Sequence, residues 1–221
     1  MRKVRLASFI SIDGVMQAPG GPEEDTTGGF VFGGWVWPYF DETSGELMGA
    51  AMGQDYDLLL GRRTYEIFAA YWPSKDDEIG TAFNAINKYV VAGPETSLDW
   101  AHSHRLEGDP ADAVRALKAT EGRDLLIQGS GELVQTLLAH DLIDELTTLT
   151  FPVFLGRGKR LFDDQASPHA WTLVKTHSSE SGVVVSTYRR AGEVRTGTFG
   201  DQTPGPKELE RRERWAAEDR R

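Results

Sequence analysis

The stretch "DLLIQGSGELVQTLLA", Asp124 to Ala139, changes its period halfway. Leu125, Leu126 and Ile127 form a short apolar run of the kind that makes a buried strand. Leu133, Val134, Leu137 and Leu138 then recur at helical spacing. Gly129, Ser130 and Gly131 stand between, so a strand passes into a helix with no bulky side chain at the junction. Strand carboxyl ends that meet helix amino ends leave unpaired N–H groups facing outward, and with the helix dipole these favour phosphate. Glycine lets a ligand come close to such a backbone. A tight turn with no ligand explains the same residues. The dinucleotide fingerprint requires Gly where Val134 stands, the P-loop Lys-Ser/Thr is missing, and Gln128 and Glu132 replace the glycines of a nucleophile elbow.

The same transition occurs earlier. "DLLL", residues 57 to 60, reads as a buried strand, and "GRRTYEIFAAY" opens a helix. Here Arg62 and Arg63 join the free amides, and the planar fork of arginine matches an oxyanion bidentately. Solvated surface arginines are the plain alternative. Two anion-ready junctions in one sheet suggest a long ligand with two separated charged parts, such as a dinucleotide.

Working outward, "VRLASFIS" (4–11) reads as a first strand, closed by "IDG". Asp13 is either a turn carboxylate or, at a strand carboxyl end, a ligand contact. Residues 17 to 34 contain six Gly and two Pro, which predicts a long loop. "WVWPYF" (35–40) follows, as core or as an apolar wall for a flat heterocycle. Asp41 and Glu42 suit a helix start, predicted over 41–54. Trp37, Phe40 and Asp41 are the candidate substrate contacts. "KYVVAG" is a further strand, and "DPADAVRALKAT" a helix capped by Asp109. His102 and His104 lie in what reads as a polar loop without a third ligand, so no metal site is expected. "IDELTTLTFPVF" reads as a strand of imperfect period. "WTLVKTHSS" and "GVVVSTYRR" read as a hairpin through Ser181 and Gly182. The basic glycine loop "LGRGKRLF" is a turn or a holder of an anionic substrate tail.

Alternating strands and helices, then two antiparallel strands, predict an α/β fold. It has a mostly parallel central sheet, helices on both faces and an antiparallel C-terminal hairpin. One domain is expected over 1–190. Residues 191–221 form a charged linker and a short helix with Glu208–Arg212 and Glu210–Arg214 pairs; Leu209 and Trp215 could dock it.

The 221 residues include 39% apolar side chains, six Trp and no Cys, so a core is available while disulfides and thiolate metal sites are excluded. The net charge of −10 argues against nucleic acid as partner. Residues 191–221 hold seven basic and seven acidic side chains, so the excess acid lies in 1–190. The apolar run after "MRKVR" is too short and too interrupted for a signal peptide. No segment approaches the roughly 20 apolar residues of a membrane span. A cytoplasmic protein with no membrane partner is expected.

With these pieces in order, the chain resembles the dihydrofolate reductase-like superfamily, and within it the reductase domain of bacterial riboflavin biosynthesis, as a stand-alone member. The matching segments are "FISIDGVM", "LLLGRRTYE", "KYVVAG", "LLIQGSGELVQTLL" and "LIDELTTLTFPVFLGRGKRLF", spanning about residues 3 to 190. The resemblance implies NADPH, with Gly61, Arg62, Arg63 and Thr64 on its phosphates. It places Gly129, Ser130, Gly131 and Glu132 along the pyrophosphate and nicotinamide. It implies hydride transfer to a flat heterocycle, as in 5-amino-6-(5-phosphoribosylamino)uracil reductase or dihydrofolate reductase. Asp13, at the carboxyl end of the first strand, is the candidate catalytic, substrate-contacting carboxylate. A homodimer is expected from the relatives. The competing expectation is a non-catalytic NADP(H)-binding protein that keeps the fold. Two features depart from the pattern. The deaminase half with its zinc ligands has no counterpart, and none of Asp41, Glu42 or Glu46 aligns cleanly with the first-helix carboxylate of folate reductases.

Overall fold

The computed structural model describes residues 1–162, 168–200 and 203–220. Eight strands form one sheet: β1 (Val4–Ser11), β2 (Tyr56–Gly61), β3 (Lys88–Val91), β4 (Ser103–Leu106), β5 (Asp124–Ile127), β6 (Glu145–Phe151), β7 (Trp171–Ser178) and β8 (Val184–Arg190). Their order across the sheet is β4-β3-β2-β5-β1-β6-β8-β7. β1 to β6 run parallel, β8 is antiparallel to β6, and β7 closes the hairpin on β8. The helices are α1 (Glu42–Met52), α2 (Arg62–Tyr71), α3 (Glu78–Ala85), α4 (Pro110–Ala119), α5 (Gly131–Ala139) and α6 (Pro206–Glu218).

The period-2 alternation of β1 divides the core. Val4 and Leu6 pack with Leu125, Ile127, Val134 and Leu137 on the α4–α5 face. Ala7 packs with Met52, Leu58, Leu60 and Phe83 on the face covered by α1, α2 and α3. β2 is buried on both sides, which is why "DLLL" carries no alternation. β6 likewise buries Leu146 through Leu149, and Thr147 meets Thr187 of β8 across the pair at 2.9 Å. That double burial accounts for its imperfect period.

The expected elements are present, with two additions. The segment read as a polar loop is edge strand β4, paired through Lys88↔Ser103 and Tyr89↔His104. His104 Nε2 stands 3.0 Å from Asn87 Oδ1, and His102 precedes the strand at φ 61°. The second addition is α3, capped by the Asp77 carboxylate. In α6, Glu208 pairs with Arg212 as expected and also with Arg211, whose guanidinium lies 4.3 Å from the Trp215 ring. No residue of α6 is buried, and Leu209 and Trp215 are exposed. Among the described residues, no helix is long and apolar enough to cross a membrane.

Candidate functional site

A cleft of about 2550 Å³ opens along the carboxyl ends of the parallel strands. Small-molecule sites usually occupy roughly 300–1,000 Å³, so there is room for a dinucleotide and a second ligand together. Gly61, Arg62, Arg63, Thr64, Gly129, Ser130, Gly131, Glu132, Trp37 and Phe40 all line it. Segments about 70 residues apart are thus brought to one surface by the adjacency of β2 and β5.

The junctions are joined to each other. Ser130 lies in the left-handed region, φ 62° and ψ 58°, after Gly129 at φ 107°. A non-glycine residue held there costs on the order of 1–2 kcal/mol. Its hydroxyl offsets this: it accepts from the Gly61 amide at 2.8 Å and donates to Thr64 Oγ1 at 2.8 Å. The contacts are tight enough that a β-carbon at either glycine would make its neighbour shift by a few tenths of an ångström. A β-carbon on Gly61 would meet the Ser130 side chain at 3.1 Å, and one on Gly129 would meet Thr64 at 3.2 Å. Sequence reading missed this bridge, because a serine in left-handed geometry has no local signature.

Helix capping separates these two helices from their neighbours on the sheet. Asp41, Asp77 and Asp109 cap α1, α3 and α4 with their side chains. Neither α2, entered at Gly61, nor α5, entered at Ser130, has a side-chain cap. Their first-turn N–H groups therefore remain available at the cleft, with the positive ends of two helix dipoles. Arg62 reaches Glu66 at 3.0 Å on the exposed surface, and Arg63 makes no ion pair among the described residues. Closely packed glycines, uncapped amides, the Arg63 guanidinium and the Glu66-paired Arg62 form a donor set that fits a phosphate-bearing cofactor such as NADPH.

Two expected site residues lie elsewhere. Asp13 does not line the cleft. Its carboxylate accepts from the Ser11 hydroxyl at 2.7 Å and from the amides of Leu155 and Gly156 at 3.0 and 2.9 Å. Its side chain is 7% exposed, with Arg160 Nη2 3.5 Å away. Burial pushes its pKa up, but the donors from Ser11, Leu155 and Gly156 outweigh burial and lower it to about 2. This is the geometry of a turn carboxylate that fastens "LGRGKR" to the end of β1. Asp41 is also outside the cleft. Oδ1 accepts the Ser44 amide at 2.7 Å within a capping box, and Oδ2 accepts the Ser181 amide at 3.1 Å. The Ser44 amide above all holds its carboxyl below the usual range.

Because Asp13 is more acidic folded than unfolded, its contribution is present above the ordinary carboxylate pKa and is lost as pH falls toward about 2. Amide exchange at Leu155 and Gly156 should therefore accelerate between about pH 4 and 2, and Asp13→Asn should show that fast exchange already at neutral pH. Unchanged protection in the variant would contradict the anchoring role.

This strand order, with the ligand cleft across a parallel sheet and a reversed strand near one edge, is the dihydrofolate reductase-like fold. The family model described as the RibD C-terminal domain matches residues 2–185. The chain belongs to that family. It is 24% identical over 196 residues to the uncharacterized protein YyaP of Bacillus subtilis, covering 86% of this chain and 96% of that one. Among solved structures it is similar to a putative riboflavin biosynthesis protein of Shewanella sp. PV-4, at TM-score 0.63 and 21% identity, over 86% of this chain and 99% of that one. A pyrimidine reductase-like protein of Corynebacterium diphtheriae aligns at TM-score 0.56 and 14% identity, over 87% and 93% of the two chains. Dihydrofolate reductase of Enterococcus faecalis, complexed with NADP(H) and RAB-propyl, aligns at TM-score 0.54 and 15% identity, over 85% and 96%. The family and its neighbours support a reductase-type fold.

Proposed function

We propose that this chain is an NADPH-dependent reductase that passes a hydride to a flat heterocyclic substrate. The observation that carries the reading is the pair of uncapped helix starts, α2 and α5, locked side by side by Ser130 and flanked by Arg62 and Arg63. When bound, the cofactor supplies the hydride. The chain holds its phosphates on the amides of 62–64 and 131–132 and keeps the Gly129–Gly131 backbone flush with the cleft. Trp37 and Phe40 wall the substrate side. A cytoplasmic setting fits the absence of Cys. A second reading, binding without turnover, is favoured by one observation: neither Asp13 nor Asp41 offers a free carboxylate to the cleft. NADPH oxidation with a panel of pterins, pyrimidines and other flat acceptors separates the two.

Cofactor choice provides the sharper test. Arg62→Ala with Arg63→Ala removes charge-assisted contacts worth about 1.5–3 kcal/mol each. NADPH binding should weaken much more than NADH binding in a calorimetric titration; equal losses would remove the 2′-phosphate assignment.

We also propose a homodimer formed through the hairpin. β7 is exposed along its length, and Leu173, Val174 and Val184 present apolar surface there. Light scattering at micromolar concentration should give twice the chain mass, and a monomer mass would reject this.

A further inference from the structure

The cleft has two chemically different halves. One is the amide-rich edge made by the α2 and α5 starts. The other lies between α1 and α2, above β1. Its floor includes Phe9, and its walls present Met48 and Met52 from α1 and Ile67 and Phe68 from α2. Trp37 and Phe40 close one side, with ring centroids 5.4 Å apart. The Trp37 indole N–H already donates to the Gly20 carbonyl at 2.7 Å, so the ring offers carbon surface rather than a donor. α1 carries Glu42 and Glu46, yet only its two methionines reach the cleft.

Charge around the cleft points the same way. Six acids line it (Glu23, Glu24, Asp25, Glu66, Asp77 and Glu132) against four cations. Lys159 pairs with Asp25 at 2.5 Å. Arg160 donates to the Asp13 carbonyl at 3.0 Å and lies 3.5 Å from its carboxylate. Arg62 faces Glu66. Arg63 is the cation without a carboxylate partner among the described residues, and it stands at the cofactor edge. An anionic substrate in the α1–α2 half would meet no unpaired cation and a net acidic rim. An unpaired charge in apolar surroundings is strongly disfavoured, whereas thioether and aromatic walls suit a flat polarisable ring.

Resting on the cofactor reading above, we propose that the α1–α2 half of the cleft takes an uncharged, flat, apolar ring compound and excludes substrates bearing phosphate or carboxylate. Such a ring lies between methionine and phenylalanine side chains with its edge toward the Gly129–Gly131 backbone. The wall residues Met48, Met52, Ile67 and Phe68 are apolar, so recognition there is by shape and apolar contact.

The test uses the full chain at mildly alkaline pH and two redox-inert probes, quinoline and its carboxylate derivative, titrated by calorimetry with and without NADPH. Quinoline should bind, and the carboxylate should bind on the order of tenfold more weakly or worse. Ile67→Lys places a cation in the half at a side chain outside the packed clusters, and should reverse the order of the two probes. Met48→Lys should do the same from the opposite wall, so the result does not depend on one variant folding. Equal or tighter binding of the carboxylate by the wild type overturns the proposal, as does absence of quinoline binding. NADPH titrated alone reports separately on the cofactor edge. Loss of NADPH binding with the quinoline preference intact would remove the cofactor reading and leave the substrate class standing.

Discussion

Gly131→Val should yield a soluble protein that melts cooperatively and has lost most of its affinity for NADPH. Gly131 is the first residue of α5 and has no positive φ, so a β-carbon carries no backbone strain there. It would meet Met16 Sδ at 3.6 Å and the Arg160 carbonyl at 3.9 Å, which are ordinary contacts. Folding is therefore expected to tolerate the change. The valine methyls, however, would extend into the cleft beside amides that the proposed cofactor uses. The comparison to make is melting with and without NADPH. At a cofactor concentration 100 times its Kd, the wild type should gain about 2.7 kcal/mol by mass action, and the variant almost none. A variant with the full shift would reduce Gly-Ser-Gly to a turn.

The second large effect is expected at the opposite end of the sheet. Arg2 and Asp57 form an ion pair at 2.6 Å, with side chains only 2% and 4% exposed. Arg2 also donates to the Arg123 carbonyl and lies 4.8 Å from the Tyr89 ring centroid. Asp57 accepts the backbone and side-chain N–H of Asn87, each at 3.2 Å. The pair ties the start of β1 to β2 across β5. Arg2→Met should destabilise the fold by about 3–5 kcal/mol, because it leaves a buried carboxylate with neutral donors only. Combining it with Asp57→Leu should recover much of that loss, since two apolar side chains need no compensation. Denaturant midpoints measure both. A single variant within about 0.5 kcal/mol of wild type, the scale of a surface change, would contradict the account.

The reading of the fold from sequence succeeded where burial is one-sided or complete over a run. "LLI" and "DLLL" have no polar interruption, and the helices after them carry clean apolar stripes. It failed at β4, where "SHRL" is a half-exposed edge with neither alternation nor β-branched residues. It also missed α3, whose eight residues include Gly80 at a point where a β-carbon would strike the Lys75 backbone. At the site, the glycine junctions were legible because a strand that passes straight into a helix constrains the chain locally. Asp13 was not, because the amides that define its role belong to residues more than 140 positions away. Asp41 was legible as a helix-start acid, while its second partner, Ser181, belongs to the distant hairpin.

The position of β1 also governs how the chain can be assembled. Its neighbours are β5 and β6, with Val4 opposite Leu125 and Arg5 opposite Glu145. Both flanks of the strand thus close loops of well over 100 residues, and neither can form from nearby sequence. Such separation slows folding, since loop closure must precede any stabilising contact. During synthesis "VRLASFIS" emerges well before either partner: it has none until β5 has cleared the ribosome, and one flank stays open until β6 follows. That interval leaves its apolar edge open to wrong partners, and elongation that stalls between β2 and β5 should promote aggregation through it.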